Sequence, residues 1–159
     1  MQGRSLRRIR LKKLAFLLMY LMTNMLPAHA ENTGLPVGEK QMIIEMKIGQ
    51  QRYDIALEDN SAAKDLIEQL PMTLTMKELN GNEKFADLPT ALTASHISPG
   101  TLHEGDVMLY GQKTLVLFYK TFQTSYRYTP IGKVTAPDAL QDAVGHADVK
   151  IDLRIKKSE

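Results

Sequence analysis

The chain has no cysteine among its 159 residues. That excludes a disulfide framework, a lipoprotein attachment thiol and a thiolate metal site, so stability has to come from a packed core. No glycine-rich run opens a helix, and Gly81, Gly100 and Gly105 are scattered, which excludes a phosphate-cradling loop. No Gly-x-Ser-x-Gly elbow occurs, so the neighbours Ser95 and His96 do not read as a nucleophile and its base. There is no internal repeat and no low-complexity tract. Acids are missing from the first thirty residues, and that local absence decides how the rest is read.

Those thirty residues have the layout of a secretory signal. Arg4, Arg7, Arg8, Arg10, Lys12 and Lys13 form a basic n-region, and Leu14 to Leu26 is an apolar h-region. The h-region is shorter than the roughly twenty residues a membrane span needs. Ala28 and Ala30 of "AHA" put small residues where a signal peptidase reads, so cleavage is expected before Glu31. "RRIRLK" echoes a twin-arginine signal, but Arg10 stands where that motif takes an apolar residue, which favours the general export route. The expected location is exported, periplasmic or secreted, with no stable membrane insertion after cleavage. Expected boundaries are 1–30 for the signal, 31–40 for a flexible lead-in and 41–156 for one domain.

Removal of the signal reverses the charge. The full chain carries 20 basic and 18 acidic residues; without the six signal bases the balance is 14 to 18, a net −4. The acidic remainder, with no basic patch, argues against a nucleic-acid partner.

The remainder reads mostly as strand. Ile44, Met46 and Ile48, with Met42, alternate with Ile43, Glu45 and Lys47; after a Gly49-Gln50 turn, Tyr53, Ile55 and Leu57 continue an inward face. Ala63, Leu66, Ile67 and Leu70 form a helical stripe that Asn60 or Ser61 can cap and Pro71 stops. Met72, Leu74 and Met76 restore period two, and "NGN" (Asn80 to Asn82) is a turn before a weaker strand, Glu83 to Leu88. A second hairpin joins Val107–Tyr110 to Leu115–Tyr119 through Gly111-Gln112. Its return strand, "LVLFY", is apolar at every position, so both of its faces should be covered. A short strand is expected from Gly132 to Val134. A second helix then starts at Thr135 or Asp138, with Leu140, Ala143 and Val144 inward and Gly145 as its stop. Val149, Ile151, Leu153 and Ile155 mark the last strand. Short antiparallel strands with two short helices predict a mainly β fold, a closed or nearly closed barrel with helices at its open ends.

Three segments carry a resemblance: "PMTLTMKELNGNEKFADLP", "GTLHEGDVMLYG" and "TLVLFYKTFQTSYRYTPIGKV". In content and order they are similar to bacterial cyclophilin-like fold proteins, over about Met42 to Ile155. The resemblance implies a cyclophilin-like antiparallel β-barrel with two short capping helices, in a family whose members mostly lack an established activity. Prolyl isomerisation belongs to the true cyclophilins, and their cleft motif, an Arg-bearing strand followed by Gln-Gly-Gly, has no match here.

Few residues invite chemistry. His96 and His103 with Glu104 and Asp106 have no diagnostic metal spacing and read as surface loop. No metal, cofactor or catalytic residue is assigned. The conspicuous stretch is "TFQTSYRYTPIGK", Thr121 to Lys133, which puts Phe122, Tyr126 and Tyr128 in a run too polar for core. The plain reading is a loop packed on a neighbouring strand, with Tyr126 and Tyr128 on one face. The functional reading is a recognition rim, because tyrosine offers a rigid ring with a polar tip and Arg127 a planar donor fork. On that reading Tyr126 and Phe118 border an apolar groove, Phe85 fills between loop and turn, and Arg127 with Glu83 or Asn82 supplies polar contacts. Two function classes remain open: a non-catalytic binding module for a peptide or small apolar ligand, and a weak peptidyl-prolyl isomerase.

Overall fold

The computed structural model describes residues 41–157, so the expected signal and lead-in lie outside the described residues. Strands β1 (Ile43–Ile48) and β2 (Gln51–Leu57) form the first hairpin, followed by helix α1 (Ser61–Glu68). Strands β3 (Met72–Leu79) and β4 (Glu83–Asp87) form the second. Then come β5 (Thr101–Leu102), β6 (Asp106–Tyr110), β7 (Thr114–Phe118), β8 (Phe122–Gln123) and β9 (Thr129–Val134). Helix α2 (Leu140–Val144) and strand β10 (Val149–Ile155) complete the chain. Eight strands close a barrel in the order β1-β10-β3-β4-β7-β6-β9-β2, with every neighbouring pair antiparallel. The remaining two, β5 and β8, pair with each other.

Alternation along each strand fills the barrel. Ile44, Met46, Ile48, Ile55, Leu74, Met76, Leu115, Leu117, Ile151 and Leu153 are buried in one core. The void left along the axis is about 10 Å³ and its lining is wholly apolar. A water needs about 10–15 Å³ and polar partners, so the barrel interior is core and not a ligand chamber. At the expected ends of the inward rows, Met42 and Ile155 are exposed instead, because each lies where the barrel wall runs out.

The helices sit at opposite ends. α1 follows the end of β2 and buries Ala62, Ala63 and Leu66; Asn60 caps it, accepting from the Ala63 N–H at 2.9 Å. Its side-chain amide also donates to the Pro130 carbonyl at 2.8 Å, tying the cap to β9. α2 precedes β10 and buries Leu140 and Val144. Neither Thr135 nor Asp138 caps it. Ala139 precedes it in the left-handed region at φ 60°, and the Leu140 N–H donates to Pro137 O.

Strand β9 is longer than the alternation predicts, because a bulge hides its start. Val107 pairs with Gly132 and Met108 with Pro130, which leaves Ile131 as the extra residue. Ile131 points into the core, and the bulge accommodates Pro130, which has no N–H to give the ladder. Gly132 is needed for proximity: a Cβ there would stand 2.5 Å from Ala56 O on β2.

Candidate functional site

Residues Leu115 to Tyr119 are all buried, as the apolar run "LVLFY" predicts, but by two different covers. Leu115, Leu117 and Tyr119 face the barrel core. Val116 and Phe118 face outward into a second cluster with Leu102, Met108 and Tyr128, against which Phe85 and Phe122 pack. A ribbon of loop lies over this outer face. Ile97 and Tyr128 exchange backbone hydrogen bonds at 2.8 and 3.0 Å, the Thr124 N–H donates to Gly100 O at 2.9 Å, and β5 pairs with β8. This is why "TFQTSYRYTPIGK" carries aromatics: Phe122 and Tyr128 turn down onto the barrel wall while the polar residues between them face solvent.

The rings form a connected series. Phe122 and Phe118 are 5.5 Å apart, Phe118 and Tyr128 5.6 Å, Tyr128 and Tyr110 5.8 Å, and Tyr110 and Tyr126 6.1 Å, the last with perpendicular planes. Tyr126 and Phe118 therefore share one side of the barrel. They do not border an open groove between them, however. Phe118 is fully buried, because Phe122 and Tyr128 lie across it. Nor do Tyr126 and Tyr128 share a face: Tyr126 is 62% exposed and Tyr128 only 5%. The i, i+2 rule requires a strand, and β9 begins only at Thr129. An open cleft of about 550 Å³ lies on the ribbon instead, lined by Gly100, Thr101, Gln123, Thr124 and Ser125.

The turn reaches the same face. Asn80 and Gly81 both take positive φ, at 55° and 70°, and the Asn82 N–H donates to Leu79 O at 3.3 Å. Such a primed turn needs residues that tolerate positive φ, and "NG" supplies them. It sends β4 back with Lys84 and Ala86 inward and Glu83 and Phe85 outward. Glu83 then pairs across strands with Phe118, and Phe85 with Val116. Asn82 Oδ1 is enclosed with no donor among the described residues. Arg127 is occupied elsewhere, donating from Nη2 to His96 O at 2.9 Å, and His96 in turn contacts Gly111 O at 3.1 Å. His103 Nδ1 lies 3.6 Å from Asp106 Oδ2, within its own loop.

Directly beneath, on the inner side, is a polar group that the sequence reading misses. Lys84 is fully buried, and its Nζ donates to Glu78 Oε2 at 2.5 Å, Ala147 O at 2.7 Å and Gly145 O at 2.9 Å. Tyr119 Oη also donates to Glu78, at 2.8 and 2.9 Å to its two oxygens, and the Gly81 N–H donates at 2.8 Å. Burial alone would push the Glu78 carboxyl up. Hydrogen bonds from Lys84, Tyr119 and the Gly81 N–H, and the charge of Lys84, outweigh it and hold the group below the ordinary range. Burial and the bond to Glu78 push the Tyr119 hydroxyl far up. With every Lys84 proton placed, this is a clasp that ties the β3–β4 turn to the segment after α2. Its signal in the sequence is parity: Lys84 stands in the inward row with Ala86.

Glu83 has the opposite environment. Burial pushes its carboxyl up, and the charge of Glu78 adds to the effect. Burial likewise raises the Tyr128 hydroxyl, the charge of Glu83 adds to that, and Thr124 opposes it. Glu83 and the Tyr128 ring both neighbour Phe118 on the outer face.

A family model described as the Cyclophilin-like family matches residues 46–156. The solution structure of the hypothetical protein AF2241 from Archaeoglobus fulgidus superposes with a TM-score of 0.51 at 12% identity, covering 75% of this chain and 99% of that one. A structure of McbB in complex with tryptophan gives a TM-score of 0.46 at 16% identity, covering 73% of this chain and 45% of the other. At 12% identity the first likeness is one of fold. No curated protein matches the sequence.

Proposed function

The chain belongs to the Cyclophilin-like family, and on that premise we propose that it is an exported binding module that holds a peptide or small apolar ligand on the outer face of β7 without catalysis. The observation that carries the reading is the exposed end of the ring series. Tyr126 is 62% and Tyr110 49% exposed, and Ile97, paired to Tyr128, is 47% exposed. Tyr110 stands at the end of β6 in the barrel wall, and tyrosine, with two rotatable side-chain bonds, loses little entropy on binding. The packed interior leaves no room for a ligand inside the barrel, which favours the outer face. Of the sequence candidates, Tyr126, Glu83 and Phe85 serve as contacts, and Phe118 as the floor beneath the rings. Asn82 and Arg127 shape the turn and the loop. Export rests on the n-region, the h-region and "AHA".

The test is a titration of the isotope-labelled mature chain with a pool of randomised short peptides, followed by amide chemical shifts. Shifts centred on Tyr110, Tyr126, Glu83 and Phe85 are expected. Shifts confined to another face, or none at all, would refute the reading. A protease-coupled proline-isomerisation assay should show only the uncatalysed rate; acceleration would move the protein to the isomerase class. Mass spectrometry of protein from its native host should find Glu31 at the N-terminus, and an intact Met1 in the cytoplasm would refute export.

A further inference from the structure

Among the described residues, the buried and half-buried carboxylates on the barrel strands are matched by bases, with one exception on the outer face. Glu45 holds Arg52 and Arg154, Asp54 holds Lys156, Glu78 holds Lys84 and Asp106 holds Lys133. Glu83 accepts no hydrogen bond at its carboxylate and makes no ion pair among the described residues. Its position explains why that matters. It stands between Leu79 on β3 and Phe118 on β7, its cross-strand neighbours, with Phe85 beside it on the same face. Leu79 is 39% exposed, so an apolar strip leads to the carboxylate from solvent.

The bases around it are mostly engaged elsewhere, and none pairs with Glu83 among the described residues. Lys84 is on the inner side in the Glu78 clasp, Arg127 is on His96 O, and Lys133 is on Asp106. Lys120 lies 5.9 Å from the Tyr119 ring centre, and Lys77, opposite Phe85, makes no ion pair with Glu83. A carboxylate held among apolar side chains and facing outward calls for a cation with an apolar stem, because the stem covers the strip while the charge reaches the acid.

We infer that the outer face selects peptides carrying a basic side chain, lysine or arginine, whose charge pairs with Glu83 while its stem lies along Leu79 and Phe85 and the flanking residues meet Tyr110 and Tyr126. This rests on the binding-module reading and adds the charge of the ligand to it.

Peptide pools with randomised flanks and a fixed central lysine, arginine or norleucine separate the two claims. The lysine and arginine pools should bind the mature chain about tenfold more tightly than the norleucine pool, the scale of one hydrogen bond to a charged group. Glu83→Gln, folded as judged by circular dichroism, should bring the lysine- and arginine-pool affinities down to that of the norleucine pool; a preference that survives the substitution would overturn the charge inference. Equal binding of all pools to the Tyr126 face would overturn the charge inference and keep the module. Binding by none would overturn both. n-Butylammonium alone, shifting the Glu83 amide as far at equal concentration as the lysine pool does, would overturn the peptide as the occupant.

Discussion

On the inner side of β7, Leu115 and Leu117 meet an aliphatic core; on the outer side, Val116 and Phe118 meet a layer of aromatic rings. Both sides are equally dry, but they are closed by different means. The inner side is closed by eight strands hydrogen-bonded in a ring, which has no free edge. The outer side is closed by a ribbon with a two-residue strand pair, an isolated bridge and a few loop bonds. One side is therefore a scaffold and the other a cover, and the proposed binding function places the ligand on the cover. The two sides touch at the β3–β4 turn, where Lys84 points in and Glu83 points out.

The largest effect is expected from breaking the inner side of that turn. Lys84→Ala leaves the Glu78 carboxylate without its countercharge and the carbonyls of Gly145 and Ala147 without this donor, and should cost about 3–5 kcal/mol in denaturant unfolding, the scale of a broken buried pair. A loss below about 1 kcal/mol, within the range of an exposed ion pair, would mean the clasp is solvated.

Leu117→Ala empties a fully buried site on the same side and should cost about 2–5 kcal/mol. A change below about 0.5 kcal/mol, that of a neutral surface substitution, would contradict the inner core.

The next effect is on pH. Because the folded Glu78 carboxyl is held below its unfolded value, its stabilisation is fully present above the ordinary glutamate range and is lost as pH falls through the folded value. Glu83 has the opposite sign: its folded carboxyl is raised, so stability attributable to it is present in acid and lost as pH rises through the folded value. Glu78→Gln should therefore flatten the acid limb of the stability curve, and Glu83→Gln should steepen it. The same change from both would remove the contrast between the two sides.

A smaller difference is expected without any substitution. Amide hydrogen exchange at Thr124 and Tyr128 should be faster than at Leu115 and Leu117, because the ribbon can open without opening the barrel. Equal protection would make cover and scaffold one unit.

Much of the inner side is legible in the sequence, since it rests on local alternation. The rows through Ile44, Ile55 and Ile151 follow period two, and "LVLFY" announces coverage on both faces. What hides is non-local. Lys84 reads as an ordinary strand lysine because two of its acceptors, Gly145 and Ala147, lie 61 and 63 residues away. The start of β9 hides behind the Ile131 bulge, which shifts the alternation. On the outer side the loop aromatics are visible as composition, yet their order is not. Tyr110 joins Tyr126 to Tyr128 only because the ribbon folds back on β6, and Phe118 is buried by the rings expected to leave it open.

The division between scaffold and cover is tested most directly at Tyr126, by measuring stability and binding of the randomised peptide pool on the same Tyr126→Ala protein. The ring is exposed and only its edge-to-face contact with Tyr110 is lost, so unfolding stability should change by less than about 0.5 kcal/mol. Binding should weaken by more than about 1 kcal/mol, as for an anchor residue. Parallel losses of stability and binding, or unchanged binding, would contradict the account.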